Sequence, residues 1–356
     1  MPPQEPIYAD SSSELFMSSS ANSSSSESLT LLGENALKRA ADNLYTREEL
    51  LSYAKCFTTS KSTRTKSNSR WKGLFYSLTK LPSALIRYGL LFPLRSLILS
   101  ASTMAFFMTL PIGVTLKSKR IVSLCVKLYC KGFLLSLGAR VKYIGKKPKL
   151  HEPHVFVANH TSYVDYIVLS AHQYPHGVVM AKHGGALGFL QNNGLNYLNS
   201  MTFDRANMTE RKDLSNSLKK HVHKPETWSN PMLIFPEGTC VNNEYAVRFQ
   251  KGAFELGVKV CPVGIKYSKS FGDPYWDTRK GFMYYAYYLM TRWWTPIHVY
   301  YCDPMTPKCN EKAADYGDRV KRRIADTVGL TCVNFNGMAK RQLLKVLAEE
   351  EKRKTR

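Results

Sequence analysis

The sequence predicts an α/β protein with a largely parallel sheet flanked by helices, preceded by a hydrophobic helical membrane anchor. From about residue 150 onward, short β-rich apolar runs alternate with helical stretches such as 207–223, as in a parallel sheet with crossover helices. Before that point no acidic residue occurs between Leu50 and His151, and the uncharged stretch 96–116 is about as long as a bilayer-spanning helix. The apolar runs are HVFVA, GVVMA, NSMTF, PMLIF, VCPVGIKY and PIHVYY.

The charge of the chain indicates an anionic partner. Its 356 residues include 50 Lys and Arg against 27 Asp and Glu, which gives a formal net charge of +23. A basic zone around an apolar segment favours a membrane surface that carries anionic lipid. Nucleic acid is the rival partner, but the chain has no zinc-finger spacing, no RNP-like aromatic motif and no basic helix followed by heptads. We therefore expect membrane lipid, and no nucleic acid, among its partners.

The first two regions of the chain are predicted to be a tail and an anchor. Residues 1–45 form a disordered serine-rich tail in this prediction, because the stretch 11–28 is too polar to bury a core. Residues 46–150 are predicted to be a basic membrane-anchoring helical region, whose first helix opens with the capping-box pattern of Thr46 and Glu49. The N-terminus lacks the basic and apolar regions of a signal peptide, so membrane entry is assigned to the internal apolar segment.

Within the anchor, Pro93 and Pro111 predict two short apolar helices rather than one long helix. Basic residues flank this segment on both sides, and the positive-inside rule then favours cytosolic positions for both ends. We expect a re-entrant hairpin or an interfacial anchor in preference to a single crossing. The next stretch, 120–138, is either an interfacial helix with Lys127 and Lys131 on one face or a core helix with snorkelling lysines.

The remaining chain is predicted to contain an α/β domain at 151–335 and a charged C-terminal helix at 336–356. The eight cysteines are scattered and form no CxxC pair, which favours reduced structural thiols. The histidine pairs at 151/154 and 221/223 are interpreted as solvated loop residues, and no ligand set for a metal stands out.

The stretch FVANHTSYVDYIVL, residues 156–169, places a base and a carboxylate where a strand is predicted to end and a helix to begin. His160 then lies at the carboxyl end of the strand, where open α/β sheets bind ligands. Asp165 lies in the first turns of the helix, close enough to hold one imidazole nitrogen and leave the other free to take a proton. Alone, this spacing is also typical of a helix cap followed by a solvated carboxylate.

A second stretch, LIFPEGTC at 233–240, also ends an apolar strand, at what should be the same sheet edge. Glycine at 238 permits close backbone approach to a ligand, and amides around Gly238 and Thr239 are placed to face developing negative charge. Alone, this stretch is equally typical of an ordinary turn.

The two stretches together resemble the blocks of the glycerolipid acyltransferase family. The first block is Asn159, His160 and Asp165, the second is MTFDR with Arg205, the third is FPEGT at 235–239, and the fourth is the strand CPVGIKY with Pro262. Four blocks in order over roughly 155 to 267 are more specific than any one of them. The likeness extends to the endoplasmic-reticulum glycerol-3-phosphate acyltransferases through AKHGGALGFLQ, IFPEGTCVNNE, FQKGAFELG and IKYSKSFGDPYW. Many relatives have arginine after FPEGT, where this chain has Cys240.

The resemblance implies transfer of a fatty acyl group from acyl-CoA to the sn-1 hydroxyl of glycerol 3-phosphate, which gives lysophosphatidic acid for phospholipid and triacylglycerol synthesis. It implies His160 as general base and Asp165 as the residue that orients it, with Glu237 as a third catalytic residue that positions the hydroxyls or organises the FPEGT turn. Cys240 is interpreted as a packed thiol. Acyl-CoA is then a co-substrate, and no bound cofactor or metal is expected. The residues assigned to substrate binding, with Arg205 and Lys251 on the phosphate, are Asn159, Arg205, Gly238, Thr239 and Lys251.

Three alternatives stay open at this point. The acceptor could be lysophosphatidic acid or another lysophospholipid, since the first block serves all these enzymes. A non-catalytic scaffold that binds acidic lipid explains the charge, and a zinc hydrolase using His160, Asp165 and Glu237 is a distant third. The resemblance implies the endoplasmic-reticulum membrane with a cytosolic active site, and the glycosylation sequon Asn159–Thr161 inside the proposed site favours the same face.

Overall fold

The computed structural model describes residues 45–59, 81–149, 151–182, 184, 188, 191–192, 195–198, 200–203, 208–224 and 230–355. The predicted tail, up to residue 44, and Arg205 lie outside the described residues. A short helix α1, Arg47–Ser52, and a 3-10 turn, Ala54–Phe57, come before the anchor.

The anchor contains one long helix where the sequence predicts two. Residues Leu81–Thr115 are continuous, with a π-helical stretch Leu85–Leu91 that leads into α2, Phe92–Thr115. Pro93 falls in the first turn of α2, where its missing amide hydrogen costs little, and Pro111 is accommodated inside the helix. The prediction of two helices is therefore wrong. This helix is long and apolar enough to cross a membrane.

Helix α3, Lys119–Ser136, turns back along α2 and makes a helical hairpin with it. The rings of Phe106 and Tyr129 stack at 4.8 Å between centroids. A Cβ on Gly132 would lie 2.2 Å from the Ser102 hydroxyl oxygen, so glycine is what allows the two helices to approach here. One face of α3 packs into the protein core, whereas Leu124, Leu128 and Leu135 on α3 are exposed, so both the interfacial and the core interpretation stay predictions.

Among the described residues, seven strands form one mixed sheet in the order β1-β8-β7-β2-β5-β3-β4. The run from β7 to β4 is parallel, whereas β8 is antiparallel to β7 and carries β1 parallel beside it. The predicted α/β fold with a largely parallel sheet is confirmed. The sheet starts at Ala139, inside the region predicted as anchor, so the domain boundary at 150/151 is placed too late. The strands are β1 Ala139–Ile144, β2 His154–Ala158, β3 Gly177–Ala181, β4 Met201–Phe203, β5 Met232–Ile234, β7 Lys259–Tyr267 and β8 Thr295–Tyr301.

Helices cover both faces of this sheet. Strand β2 is buried throughout and sends Phe156 and Ala158 into one apolar core with α2 and α3, and Val155 and Val157 into the other. This alternation is the period of a strand that is buried on both faces. The helices of the domain are α4 Val164–Ala171, α5 Met208–Val222, α6 Phe282–Met290, α7 Ala313–Val328 and α8 Lys340–Thr355.

The last part of the chain returns to the FPEGT stretch. Strand β9, Thr331–Asn336, pairs in parallel with β6, Tyr245–Arg248, in a separate two-stranded sheet. A 3-10 turn, Gly337–Ala339, joins β9 to α8. A Cβ on Gly337 would lie 2.3 Å from the carbonyl oxygen of Glu237, so this turn packs directly on the FPEGT stretch.

The hairpin is attached to the domain by a buried arginine. The Arg95 guanidinium donates to the carbonyl oxygens of Met290 at 2.9 Å and Trp293 at 2.7 Å, and also to that of Arg292. These carbonyls lie at and just beyond the C-terminal end of α6, where backbone oxygens lack helical partners. Arg95 is 7% exposed, so its charge is satisfied by the protein.

We predict that Arg95→Met destabilises the protein by about 3 kcal/mol, because it leaves these buried carbonyls unpaired. Thermal unfolding of the detergent-solubilised protein measures the loss, and Arg120→Met, an exposed arginine on α3, is the matched control. Equal unfolding temperatures for the two variants would contradict the attachment.

Candidate active site

The two loops predicted to carry the chemistry lie together at the carboxyl ends of β2 and β5, which are adjacent parallel strands. The Asn159 side chain is 2% exposed and pairs with the backbone of Ile265 in β7. Its Nδ2 donates to the Ile265 carbonyl at 3.0 Å, and its Oδ1 accepts from the Ile265 amide at 2.7 Å. Asn159 thus fixes the end of β2, and its assignment to substrate binding stays a prediction.

Asp165 holds His160 and the start of α4 at the same time. Its Oδ2 lies 3.0 Å from Nδ1 of His160 and accepts the amides of Thr161 at 2.6 Å and Ser162 at 2.8 Å. The Tyr267 hydroxyl donates to Oδ1 at 2.5 Å. Asp165 is fully buried, so four donors replace water around its charge. The predicted partnership of His160 with Asp165 is thus present in the geometry, whereas the role of Tyr267 was missed.

The other imidazole nitrogen of His160 faces a sulfur. Nε2 lies 3.4 Å from Sγ of Cys240, and the Phe235 ring stacks on the imidazole at 4.3 Å between centroids. Burial disfavours the imidazolium, but the Cys240 sulfur and the Asp165 carboxylate outweigh it and raise the pKa of His160 to about 10. The His160 side chain keeps 20% of its surface exposed, so a substrate can reach the ring.

Glu237 supports the backbone of His160. Its Oε2 accepts the His160 amide at 2.7 Å, and the residue is 1% exposed. Burial raises the pKa of Glu237 above its ordinary value of 4.5 to about 8, so the carboxyl is neutral at pH 7. Its Oε1 is buried and has no hydrogen-bond partner among the described residues. This geometry fits a residue that organises the FPEGT turn better than one that acts as a second base.

Gly238 gives the FPEGT turn its shape. Gly238 has φ +68°, and its amide donates to the Phe235 carbonyl at 3.2 Å. That amide closes the turn, and the assignment of Gly238 to substrate binding stays a prediction. Thr239, the next residue, is 8% exposed.

The stretch after the turn, Cys240–Asn243, connects the two motif loops. The Val241 amide donates to the His160 carbonyl at 2.8 Å. The Asn243 side chain donates to the Thr161 hydroxyl at 3.0 Å and accepts the Tyr267 amide at 2.7 Å. Val241, Asn242 and Asn243 had no predicted role, although two adjacent asparagines beside a motif are a signal of side-chain bonds to backbone.

The predicted phosphate ligands are only partly described. Lys251 begins the 3-10 turn Lys251–Ala253, and Gln250 before it donates its amide to the Pro236 carbonyl at 2.8 Å. The Lys251 ammonium is 72% exposed and pairs with Glu255 at 3.2 Å, so it lies in solvent beside the FPEGT turn. Across the described part of the chain, no group of three or more His, Cys, Asp or Glu side chains could hold a metal ion.

Comparison with known proteins gives a consistent set of relatives. The family model described as Acyltransferase matches residues 140–266, which include both motif loops. Glycerol-3-phosphate acyltransferase 3 of Danio rerio is 32% identical over 330 residues, which are 90% of this chain and 71% of that protein. The human protein of the same name is 33% identical over 321 residues, covering 87% and 70%. Glycerol-3-phosphate acyltransferase 4 of Bos taurus is 35% identical over 301 residues, covering 82% and 64%.

One solved structure is also similar. It is the 1-acyl-sn-glycerophosphate acyltransferase PlsC from Thermotoga maritima, with a TM-score of 0.47 and 20% identity. The match covers 70% of this chain and 97% of that one.

The raised pKa of Glu237 predicts how the stability of the protein depends on pH. The Glu237 carboxyl has a pKa of about 8 in the folded protein and of 4.5 in the unfolded chain. Between pH 4.5 and pH 8 the folded state therefore binds more protons than the unfolded state. The wild-type stability should therefore fall by about 4 kcal/mol as pH rises from 4.5 to 8. Glu237→Gln keeps an oxygen for the His160 amide and removes this fall.

Unfolding measured at pH 5 and pH 8 in the wild type and Glu237→Gln checks this difference, with the exposed Glu255→Gln as control. The same pH dependence in all three proteins would show that Glu237 does not titrate in this way.

Proposed function

The chain belongs to the glycerol-3-phosphate acyltransferase family and is an O-acyltransferase, and we propose that it acylates the sn-1 hydroxyl of glycerol 3-phosphate with acyl-CoA. The product is lysophosphatidic acid, a precursor of phospholipids and triacylglycerol. The observation that carries the proposal is the His160 imidazole, which Asp165 holds by Nδ1 and whose side chain keeps 20% of its surface exposed.

In the proposed reaction, His160 is the general base. Nε2 takes the proton of the sn-1 hydroxyl as its oxygen attacks the thioester carbonyl carbon, and the carbon–sulfur bond then breaks. His160 returns the proton to the departing coenzyme A sulfur, so the base is regenerated. Asp165 keeps the ring in the tautomer that exposes Nε2 and stabilises the imidazolium that forms. No covalent acyl-enzyme is required.

The acceptor phosphate is assigned to Arg205 and Lys251. A guanidinium binds phosphate oxygens through two parallel hydrogen bonds, whereas an ammonium acts as a point charge. The exposure of Lys251 beside the FPEGT turn supports its part in this assignment, because its bond to Glu255 is a surface ion pair that a phosphate can replace. Asn159, Gly238 and Thr239 are the other proposed substrate-binding residues; the side chain of Asn159 and the amide of Gly238 also make hydrogen bonds within the protein.

We further propose that the enzyme lies on the cytosolic face of the endoplasmic reticulum, with membrane lipid around its hairpin. Exposed apolar side chains on α2 and on α6 support the contact with lipid; they include Leu97, Met104, Met108, Met283 and Tyr284. Cys56 and Phe57 precede the α2–α3 hairpin and are buried in the domain that follows it, which supports both flanks of the hairpin on one side of the membrane. Acyl-CoA is cytosolic, in agreement with this orientation.

Acyl transfer from labelled acyl-CoA, in membranes with wild type or His160→Ala, tests the function. We expect transfer to glycerol 3-phosphate that falls by about 10²- to 10⁴-fold in the variant, because the general base is lost. His151→Ala, an exposed histidine before β2, should keep its activity. Better transfer to lysophosphatidic acid would reassign the acceptor, and activity with neither acceptor would favour a non-catalytic membrane protein.

The pH profile gives a second test. Only neutral His160 can accept a proton, and its raised pKa makes kcat/KM increase with pH through the neutral range. Cys240→Ala removes the sulfur beside Nε2, so the rising limb should move to lower pH. Cys302→Ala, a buried thiol in the strand region of β8, is the control. An unmoved limb in Cys240→Ala would mean that the sulfur does not affect the base.

A further inference from the structure

A short segment before the membrane anchor is built into the catalytic domain. We name residues 48–58 the N-terminal strap; it comprises most of α1 and the turn Ala54–Phe57. Cys56 and Phe57 are 0% and 1% exposed, so the strap is an internal part of the fold. The Phe57 ring meets Phe335 of β9 edge to face, at 5.4 Å between centroids.

The strap is bonded to the catalytic loop Cys240–Asn243 through one asparagine. The Asn242 side chain donates to the carbonyl oxygens of Lys55 at 2.6 Å and Thr58 at 3.0 Å. The Asn242 amide donates to the carbonyl oxygen of Cys56 at 2.9 Å. Three hydrogen bonds thus fix this residue to the strap, and Asn242 is 2% exposed.

A buried lysine makes a second connection. The Lys340 ammonium donates to the Cys240 carbonyl oxygen at 2.8 Å and lies 4.9 Å from the centroid of the Phe57 ring. A cation over an aromatic face is attracted to it, and more strongly when both are desolvated. Lys340 is 5% exposed, so Phe57 helps to place the charge that holds the Cys240 carbonyl.

The loop Cys240–Asn243 in turn contacts His160 and the residue after it. Cys240 contacts Nε2 of His160 at 3.4 Å, and the Val241 amide donates to the His160 carbonyl at 2.8 Å. Asn243 contacts Thr161, the residue after the base, at 3.0 Å. The strap therefore holds the middle of a loop whose other residues contact the base and its neighbour.

We propose that the N-terminal strap is a positioning element of the active site, which holds the loop Cys240–Asn243 so that the His160 imidazole stays aimed at the acceptor hydroxyl. More than 180 residues separate strap and loop along the chain, so chain connectivity alone does not bring them together. Misplacement of a base by about 1 Å costs on the order of 10²-fold in rate, so a loosened loop lowers turnover before it lowers substrate affinity. This inference rests on the proposed acyl transfer for its assay.

The test compares full-length Asn242→Ala and Phe57→Leu with the wild type. Asn242→Ala removes two bonds to the strap, and Phe57→Leu keeps apolar volume but removes the ring beside Lys340. We expect kcat to fall at least tenfold in Asn242→Ala and in the same direction in Phe57→Leu, with both KM values within about threefold of wild type. Ile324→Ala, a fully buried residue of α7, controls for lost stability and should retain its kcat.

The proposal is overturned if both strap variants keep kcat within twofold of the wild type. It is also overturned if all three variants lose kcat in proportion to their unfolding temperatures, since the strap then contributes stability alone. If Asn242→Ala does not fold, Phe57→Leu decides. Every protein is assayed with the acceptor that the wild type uses best, so rejection of glycerol 3-phosphate is seen in the wild type and leaves this comparison valid.

Discussion

The site depends on the burial of one carboxylate. Asp165 carries its charge without solvent, because two backbone amides, a tyrosine hydroxyl and an imidazole surround it. Three of the donors come from the consecutive residues His160, Thr161 and Ser162 in the turn after β2, and the fourth, Tyr267, comes from the strand β7. A change in any of them leaves a buried charge short of a partner, which is among the most costly defects in a protein. The Asp165 carboxylate therefore fixes the positions of the groups that donate to it, as well as the orientation of His160.

The parallel sheet explains why the residues meet. Strands β2 and β5 are adjacent and run in one direction, so the chain leaves both at the same edge. Strand β7 lies on the other side of β2 and extends past its end, which brings Ile265 and Tyr267 level with the catalytic turn. The fold thus supplies the hydroxyl and backbone groups that satisfy Asn159 and Asp165. Asn159 and Asp165 hold the turn in place, whereas His160 is the proposed base.

The sequence predicted the sheet, the two loops and the histidine–carboxylate pair, since each rests on local patterns. It failed where a role depends on a partner far along the chain. The pairing of Asn159 with the backbone of Ile265, 106 positions along the chain, was not predicted. The continuity of the helix Leu81–Thr115 was missed because two prolines outweighed a long apolar run. The contact of residues 48–58 with the loop Cys240–Asn243 has no local signature, because it joins distant segments.

The Cys240 sulfur affects which protonation state of His160 is favoured. An arginine in this position, as in many relatives, would place a cation near Nε2 and favour the neutral imidazole. Here the sulfur and Asp165 both favour the protonated ring, so the base is stronger once it has lost its proton but is populated less at neutral pH. Without an arginine at this position, the turn also offers the dianionic acceptor no guanidinium beside the base. In the proposed site the acceptor's charge is matched by Lys251, which extends into solvent, and by Arg205. Proton transfer and phosphate binding are thereby assigned to separate residues, and each can be altered without direct change to the other.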